Sequence, residues 1–558
     1  MQSEPFVLQE KTLGTLLDET VARLGDKEAI VHYGYPLRQT WREFSQSVDE
    51  LAKGLMALGV QPGEKVAVWA TNLPHWITLM FATARIGAVL VTVNTSYQSQ
   101  ELAYLLRQSD CSTLFMAKSY RDHDFIKILL GVAPEIAEQE SHTLDVESLP
   151  FLRRVFLMEA TPKRGIKSLA DVFALAPQIS DAQYAARKAE VRPHDVVNMQ
   201  YTSGTTGFPK GVMLSHVNII NNGWWIGKNQ NLGPDDRMCL PVPLFHCFGC
   251  VLGVMAFVNH GACMVVIDAF SPLKVLAAIQ AEGCTGVYGV PSMYLSMMGH
   301  KNFSRYDLST LRTGIMAGSV CPPHLMRRAV NDMYLTDLTN CYGLTEASPV
   351  MSQTCVDDTF ERKTSTVGRP MPGMEVLVAD VSQLPERIVE VPRGSIGEVV
   401  CRGYNIMKGY YKMPEETARA ITPDGWLLSG DLGSMDQDSY LEITGRSKDM
   451  IIRGGENIYP KEIEDFLSGM EDIHDVQVVG MKNEKYGEEV AAFIMLKPGA
   501  VLRPEDIRAY CKGKIAWYKV PRHIAFVDSY PMTGSAKIQK YKLREMAEEL
   551  FAKGKARS

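Results

Sequence analysis

The chain has no run of like charges, no low-complexity tract and no repeat of solenoid period, and each gap excludes a class of protein. Its formal charge of -6 arises from mixed signs along the whole length, so there is no basic stripe for nucleic acid and no basic arm for a membrane surface. Small molecules are the expected ligands. Cysteine is sparse and unpatterned: eleven thiols at irregular spacings, an odd number, argue against a disulfide framework and for a reducing compartment. No secretory leader is read at the amino terminus. The chain closes on Ala556, Arg557 and Ser558 rather than a peroxisomal tripeptide, so we expect a cytoplasmic protein.

Long apolar runs are also missing, with one exception. Residues Trp76 to Val93 are almost wholly apolar and close to bilayer length, but Arg85 and Gly87 interrupt them. A helix over His75 to Arg85 followed by a buried strand over Ala88 to Val93 accounts for the same residues without putting Arg85 in lipid, so no transmembrane segment is expected.

What is present is ample material for a core: 558 residues, 46% of them hydrophobic, imply more than one domain. Thr40 and Glu43 form a capping box, Phe44, Val48, Leu51 and Leu55 share one face, and Gly59 follows the last turn; a strand at Lys65 to Ala70 comes next. The alternation continues for most of the chain and predicts α/β layers on mainly parallel sheets. Towards the end the texture changes. Strands at Asp475 to Val479 and Glu489 to Leu496, with a helix at Pro504 to Cys511, predict a small α+β domain. We expect residues 1–447 to form a large amino-terminal domain and residues 448–558 a small mobile one, joined through the polar stretch Gly445 to Asp449.

The most informative segment runs from Tyr201 to Gly211, after an apolar strand from Val196 and before a helix cap at Ser215. Thr202, Ser203, Gly204, Thr205, Thr206 and Gly207 supply hydroxyls and backbone N–H groups, and Lys210 supplies a point charge, a combination suited to phosphate oxygens. Pro209 stands where a Walker A loop needs its second glycine, so this is a different phosphate loop.

At this segment the chain resembles the adenylate-forming (AMP-binding) superfamily, which contains acyl-CoA synthetases, aryl-CoA ligases, peptide-synthetase adenylation domains and firefly luciferase. The resemblance covers essentially the whole chain. It is carried further by Leu244-Phe-His-Cys-Phe-Gly249, Tyr342-Gly-Leu-Thr-Glu346, Ser429-Gly-Asp431, Gly445-Arg-Ser-Lys-Asp449, Gly454-Gly-Glu-Asn457 and Gly534-Ser-Ala-Lys537, in the family's order. Singly each has a bland reading; Glu346 could be a surface carboxylate, Asp431 a turn residue and Lys537 a solvated lysine.

The resemblance implies an acid:CoA ligase that uses ATP, Mg2+ and CoA. A carboxylate must attack a triphosphate that repels it; two like charges about 4 Å apart at an effective dielectric near 20 repel by roughly 4 kcal/mol. By resemblance Lys537 bridges the acid and the α-phosphate, Glu346 faces Mg2+, and Thr345 meets the α-phosphate. Asp431 takes the ribose hydroxyls, Arg446 the ribose or phosphate, and Tyr342, with Asn340 and Gly343 beside it, lies against adenine. Ala317, Gly318 and Ser319 resemble the backbone cradle at the adenine edge. Met316 and Ala317 stand where the family usually has glycines, which implies a narrower or differently shaped acyl pocket around His246, Phe248 and Met316. Gly454, Gly455 and Glu456 resemble the pantetheine tunnel, and Lys448 the hinge.

No Asp stands in Leu244-Phe245-His246 to receive an ammonium group, and no carrier sequence follows the small domain. Amino acids and a tethered arm are therefore disfavoured against a free acid and free CoA. Cys247 and Cys250 form an isolated C-x-x-C with apolar flanks, read as buried thiols, and His194, His216 and His523 are read as structural. A medium-chain fatty acid is the expected substrate, with aryl or alicyclic acids, a luciferase-like oxidation and a silent nucleotide-binding regulator as alternatives. A homodimer is left open.

Overall fold

The computed structural model describes residues 6–139, 143–158, 165–202, 209–319, 321–453, 456–483, 486–512, 514–532 and 538–552. They divide into a larger unit, residues 1–376 with 401–427, and a smaller one, residues 377–400 with 428–558.

The larger unit is built on two sheets. The first has seven strands in the order Asp337–Thr339, Thr313–Met316, Gly286–Gly289, Arg237–Leu240, Cys263–Val266, Glu28–His32 and Leu37–Thr40, parallel except for the final hairpin pairing. The second has eight, from Gly409–Tyr410 through Lys210–Ser215, Val196–Thr202, Val89–Thr92, Lys65–Trp69, Cys111–Met116 and Arg154–Leu157 to Lys167–Ser168, with antiparallel pairing only on the two sides of Lys210–Ser215. Mixed α/β architecture with a large amino-terminal and a smaller carboxy-terminal part follows the sequence pattern. The helix Trp41–Ala57 carries the predicted box, Thr40 accepting from the Glu43 amide, and buries Phe44, Val48, Leu51 and Leu55.

The apolar stretch forms the helix Trp76–Arg85 and the strand Val89–Thr92. Arg85 is fully enclosed in protein, paired with Asp18 at 2.5 Å and with Asp49, and donating to Ser45 at 3.0 Å. Among the described residues no helix is long and apolar enough to cross a membrane. All eleven cysteines are free thiols, ten of them buried.

In the smaller unit, Leu427–Met435 pairs antiparallel with Leu441–Arg446, and residues 428–447 group there, ahead of the expected boundary at 448. Ile473–Asn483 and Gly487–Leu496 form a long antiparallel pair, extended beyond the predicted strands, and His523–Phe526 adds in parallel. The helix Pro504–Cys511 has the predicted bounds. A compact unit and a body that moves need not share a boundary, and the pivot at Lys448 is a proposal about motion.

Candidate active site

The two strands that flank the candidate phosphate loop form an antiparallel pair. Strands Val196–Thr202 and Lys210–Ser215 pair antiparallel with Thr202 opposite Lys210, and Ser215 then caps the helix His216–Asn229. Ser203, Gly204, Thr205, Thr206 and Gly207 lie outside the described residues. Lys210 is buried. Its ammonium lies 5.0 Å from the centre of the Tyr410 ring and pairs with Glu416, whose carboxyl that contact holds below the usual range.

Across the same ring stands the predicted metal-facing carboxylate. Tyr410 donates through its hydroxyl to Glu346 Oε1 at 2.8 Å. Burial, and next the Glu346 charge, push the Tyr410 phenol far up, so it stays a donor. Glu346 belongs to the short turn Thr345–Ala347, secured on both sides: the Met407 amide donates to the Glu346 carbonyl at 2.9 Å, and Ser348 Oγ donates to the Asn405 carbonyl at 2.6 Å. Asn405 returns a 2.9 Å bond from Nδ2 to the Ala347 carbonyl. Upstream, Tyr342 and Gly343 sit in the strand Cys341–Gly343, and a Cβ on Gly343 would fall 1.8 Å from the Pro349 carbonyl oxygen. Only glycine lets the chain turn back so closely.

Asn340, just before that strand, is buried; its Nδ2 donates to the Thr366 carbonyl at 3.3 Å, and its Oδ1 lies 3.7 Å from Cys321 Sγ. The same thiol donates to the Met316 carbonyl at 3.0 Å. Gly318 has φ +88°, a left-handed conformation suited to glycine, and Gly318 and Ser319 are exposed. Side chains alternate along Thr313–Met316, so Ile315 and Ala317 join Tyr288 and Phe248 on one face. Met316 goes to the other, fully buried among Tyr294, Met297 and Leu325. Met316 and Ala317 thus belong to different apolar clusters.

His246 and Phe248 enter a wide helical turn, Phe248–Met255, of the π type that recurs at functional sites. The Phe248 amide donates to His246 Nδ1 at 3.2 Å, which leaves Nε2 to carry the proton of a neutral ring. Phe248 meets Tyr288, ring centres 6.0 Å apart, and Gln230 Nε2 donates to the Tyr288 hydroxyl at 2.6 Å. Cys247 Sγ lies 3.7 Å from Thr345 Oγ1, tying this turn to the Glu346 turn. Among the described residues no group of three or more His, Cys, Asp or Glu is arranged to hold a metal.

The smaller unit holds the remaining predicted residues. Asp431 faces Arg446 across the strand pair, with Arg446 Nε 2.9 Å from Asp431 Oδ1. Glu398 accepts from the Gly430 amide at 2.9 Å; its carboxyl is raised by burial and next by Asp431. Lys448 lies in the turn Ser447–Asp449, its ammonium lowered by burial first and then by Arg446. Glu456 pairs in the ladder with Arg453, whereas Gly454, Gly455 and Lys537 lie outside the described residues.

Sequence reasoning missed Tyr410, Glu416, Tyr288 and Glu398. Pro414 followed by Glu415 and Glu416 reads as the start of a helix, and Pro414–Ala420 is one. Nothing local couples that start to Lys210, 206 positions earlier.

The AMP-binding enzyme profile matches residues 17–411, and that of the AMP-binding enzyme C-terminal domain matches residues 462–537. The chain belongs to the AMP-binding enzyme family, in its acyl-CoA synthetase branch. It is accordingly an ATP-dependent acid–CoA ligase. It is 49% identical over 544 residues to YngI of Bacillus subtilis (strain 168), a candidate acyl-CoA synthetase, covering 98% of each chain. It is 40% identical to the mitochondrial medium-chain acyl-CoA ligase ACSF2 of Bos taurus, over 97% of this chain and 88% of that one. Among solved structures, the anthranilate CoA ligase AuaEII in complex with anthranoyl-AMP matches with a TM-score of 0.84 at 26% identity, covering 98% of this chain and 99% of that one.

Proposed function

We propose that this ligase activates a medium-chain fatty acid as the acyl-adenylate and transfers the acyl group to free CoA, with the residues named above in the roles their motifs imply. The observation that carries the reading is the pairing of Lys210 and Glu346 about one tyrosine ring: a cation for phosphate oxygens and a hard carboxylate for the accompanying metal, within one unit. The medium-chain reading is supported by the ACSF2 relative and by the apolar surroundings of Phe248, Tyr288, Ile315 and Ala317.

The donor set fits Mg2+. Glu346 Oε1 is engaged by Tyr410, and Oε2 has no partner among the described residues. A single carboxylate suits an ion that takes its other ligands from phosphates and water. When bound with ATP, the ion neutralises phosphate charge; the remaining work falls to the chain. Lys210 meets phosphate oxygens after leaving Glu416, Thr345 donates to the α-phosphate, and Asp431 accepts from the ribose hydroxyls. Lys537 bridges the two anions and stabilises the charge that builds as pyrophosphate departs. Cytoplasmic residence belongs to the same proposal, supported by the free thiols. Self-association into a dimer is a reading for size-exclusion chromatography.

The test is a pyrophosphate-release screen over short, medium and long straight-chain acids, benzoate and cyclohexanecarboxylate, with and without CoA. A maximum at medium chain length with thioester product supports the reading, and a preference for the cyclic acids sinks it. Turnover that consumes oxygen without thioester would favour the luciferase-like alternative.

A further inference from the structure

Strand Gly409–Tyr410 lies along Lys210–Ser215 with Tyr410 opposite Val212, and the Tyr411 amide donates to the Gly211 carbonyl at 2.8 Å. The sheet therefore brings Tyr410 within two positions of Lys210. The residue is anchored from behind as well, its amide donating to Thr417 Oγ1 at 2.9 Å on the helix that carries Glu416. Its two chemically distinct parts face two different partners. The ring supports the Lys210 ammonium with Glu416 as counter-ion, and the hydroxyl holds one oxygen of Glu346. A cation over an aromatic face and a carboxylate held by a buried phenol are both oriented by the same rigid plane.

We propose that Tyr410 is a positioning residue for adenylation, which sets the Glu346 carboxylate toward the phosphate-bound divalent cation through its hydroxyl and seats the Lys210 ammonium beside the triphosphate through its ring. The inference rests on the reading that Glu346 faces the metal and the phosphates. Neither part of Tyr410 touches a reacting atom. Losing the hydroxyl frees the Glu346 carboxylate to rotate, and a metal–ATP complex then has to order it on binding. Losing the ring leaves Lys210 held by Glu416 alone, so a lysine displaced toward the helix has further to move to reach a phosphate.

The experiment compares full-length Tyr410→Phe, Tyr410→Leu and Glu346→Gln with the parent chain. Four readouts are taken: the half-saturating Mg2+ for ATP–pyrophosphate exchange, the thermal shift produced by ATP with and without Mg2+, thioester formation from synthetic acyl-adenylate, and the melting temperature of the protein alone. Tyr410→Phe is expected to raise the Mg2+ requirement about 10-fold, the lower end of the scale for one lost hydrogen bond to a charged group. It should shrink only the Mg2+-dependent part of the thermal shift and leave the second half-reaction unchanged. Tyr410→Leu should add an increase of about 5-fold in KM for ATP. If Glu346→Gln moves the Mg2+ requirement and Tyr410→Phe does not, the positioning role is overturned while the reading of Glu346 stands. If neither moves it, both fall. A drop in melting temperature with unaltered Mg2+ dependence makes Tyr410 structural and overturns the proposal, and Tyr410→Phe decides even if Tyr410→Leu fails to fold.

Discussion

The guanidinium of Arg544 donates a 2.9 Å hydrogen bond to the main-chain carbonyl of Lys448. The same group pairs with Asp449 at 2.5 Å, so a residue on the helix Lys540–Ala552 clasps the turn proposed as the hinge. Backbone that is clasped in this way opens less readily than its exposed position suggests.

Arg544→Ala should therefore loosen the turn without unfolding the unit. Removing one partly exposed, charge-assisted contact is expected to speed amide exchange at Met450, whose N–H closes the turn onto Arg446 at 3.0 Å, by about 3- to 10-fold. Unchanged exchange at Met450 would show that Arg544 does not hold the turn.

Lys448→Pro and Lys537→Ala should divide the two half-reactions in opposite ways. Proline fixes φ near roughly -65° and removes an N–H, so a turn that must change its dihedrals in each cycle is held near one arrangement. Adenylation should persist in part, with thioester formation falling much further. Lys537→Ala, at a position outside the described residues, should suppress adenylation by roughly two to three orders of magnitude and spare thioester formation from synthetic acyl-adenylate. Single-turnover rates of both steps check the pair; equal losses in either variant refute that residue's assignment.

Gly343→Ala tests the turn that carries Thr345 and Glu346. Its Cβ would meet the Pro349 carbonyl oxygen at 1.8 Å and carbon at 2.7 Å, and backbone has to shift to admit it. Adenylation should fall by about 100-fold or more, the scale of a displaced catalytic group. Gly394→Ala is the comparison for loss of a glycine, since a Cβ there meets nothing within 4 Å although φ is +85°. Equal rates in the two variants would refute the steric argument.

Acid sensitivity should come partly from His32 and His216, both buried and both lowered to about 3, chiefly by burial. The unfolded chain binds their protons from about pH 6.5 downward, while the folded chain resists until about 3. Their contribution to stability is thus intact above about pH 6.5 and lost progressively as pH falls toward 3. His216 Nδ1 accepts from the Leu13 amide at 3.0 Å, so His216→Gln keeps an acceptor while removing the titration. The melting temperature of this variant should depend less steeply on pH between 6 and 4; an identical slope would refute the assignment.

Much of the architecture was legible because its signals are local. The Thr40–Glu43 box, the period of the helix behind it and the bounds of Pro504–Cys511 need only a few neighbouring residues to specify them. The strands that flank residues 203–208 were legible for a related reason, since an apolar run from Val196 and a helix cap at Ser215 are local signals. The family motifs named Glu346, Asp431 and Arg446, although the Asp431–Arg446 contact itself comes from strand register.

Tertiary structure alone decided who faces whom. Met316 and Ala317 are adjacent in sequence, yet strand alternation puts their side chains in two different apolar clusters. Which face is which depends on the sheet, not on the residue. Glu416 reaches Lys210 across 206 positions and Tyr410 reaches Glu346 across 64, through a short edge strand that has little pattern of its own. Local sequence determined the elements and the chemistry available to this protein. Long-range register determined which charges, rings and carboxylates meet, because hydrogen-bonded pairing fixes side-chain direction only once a partner strand is in place.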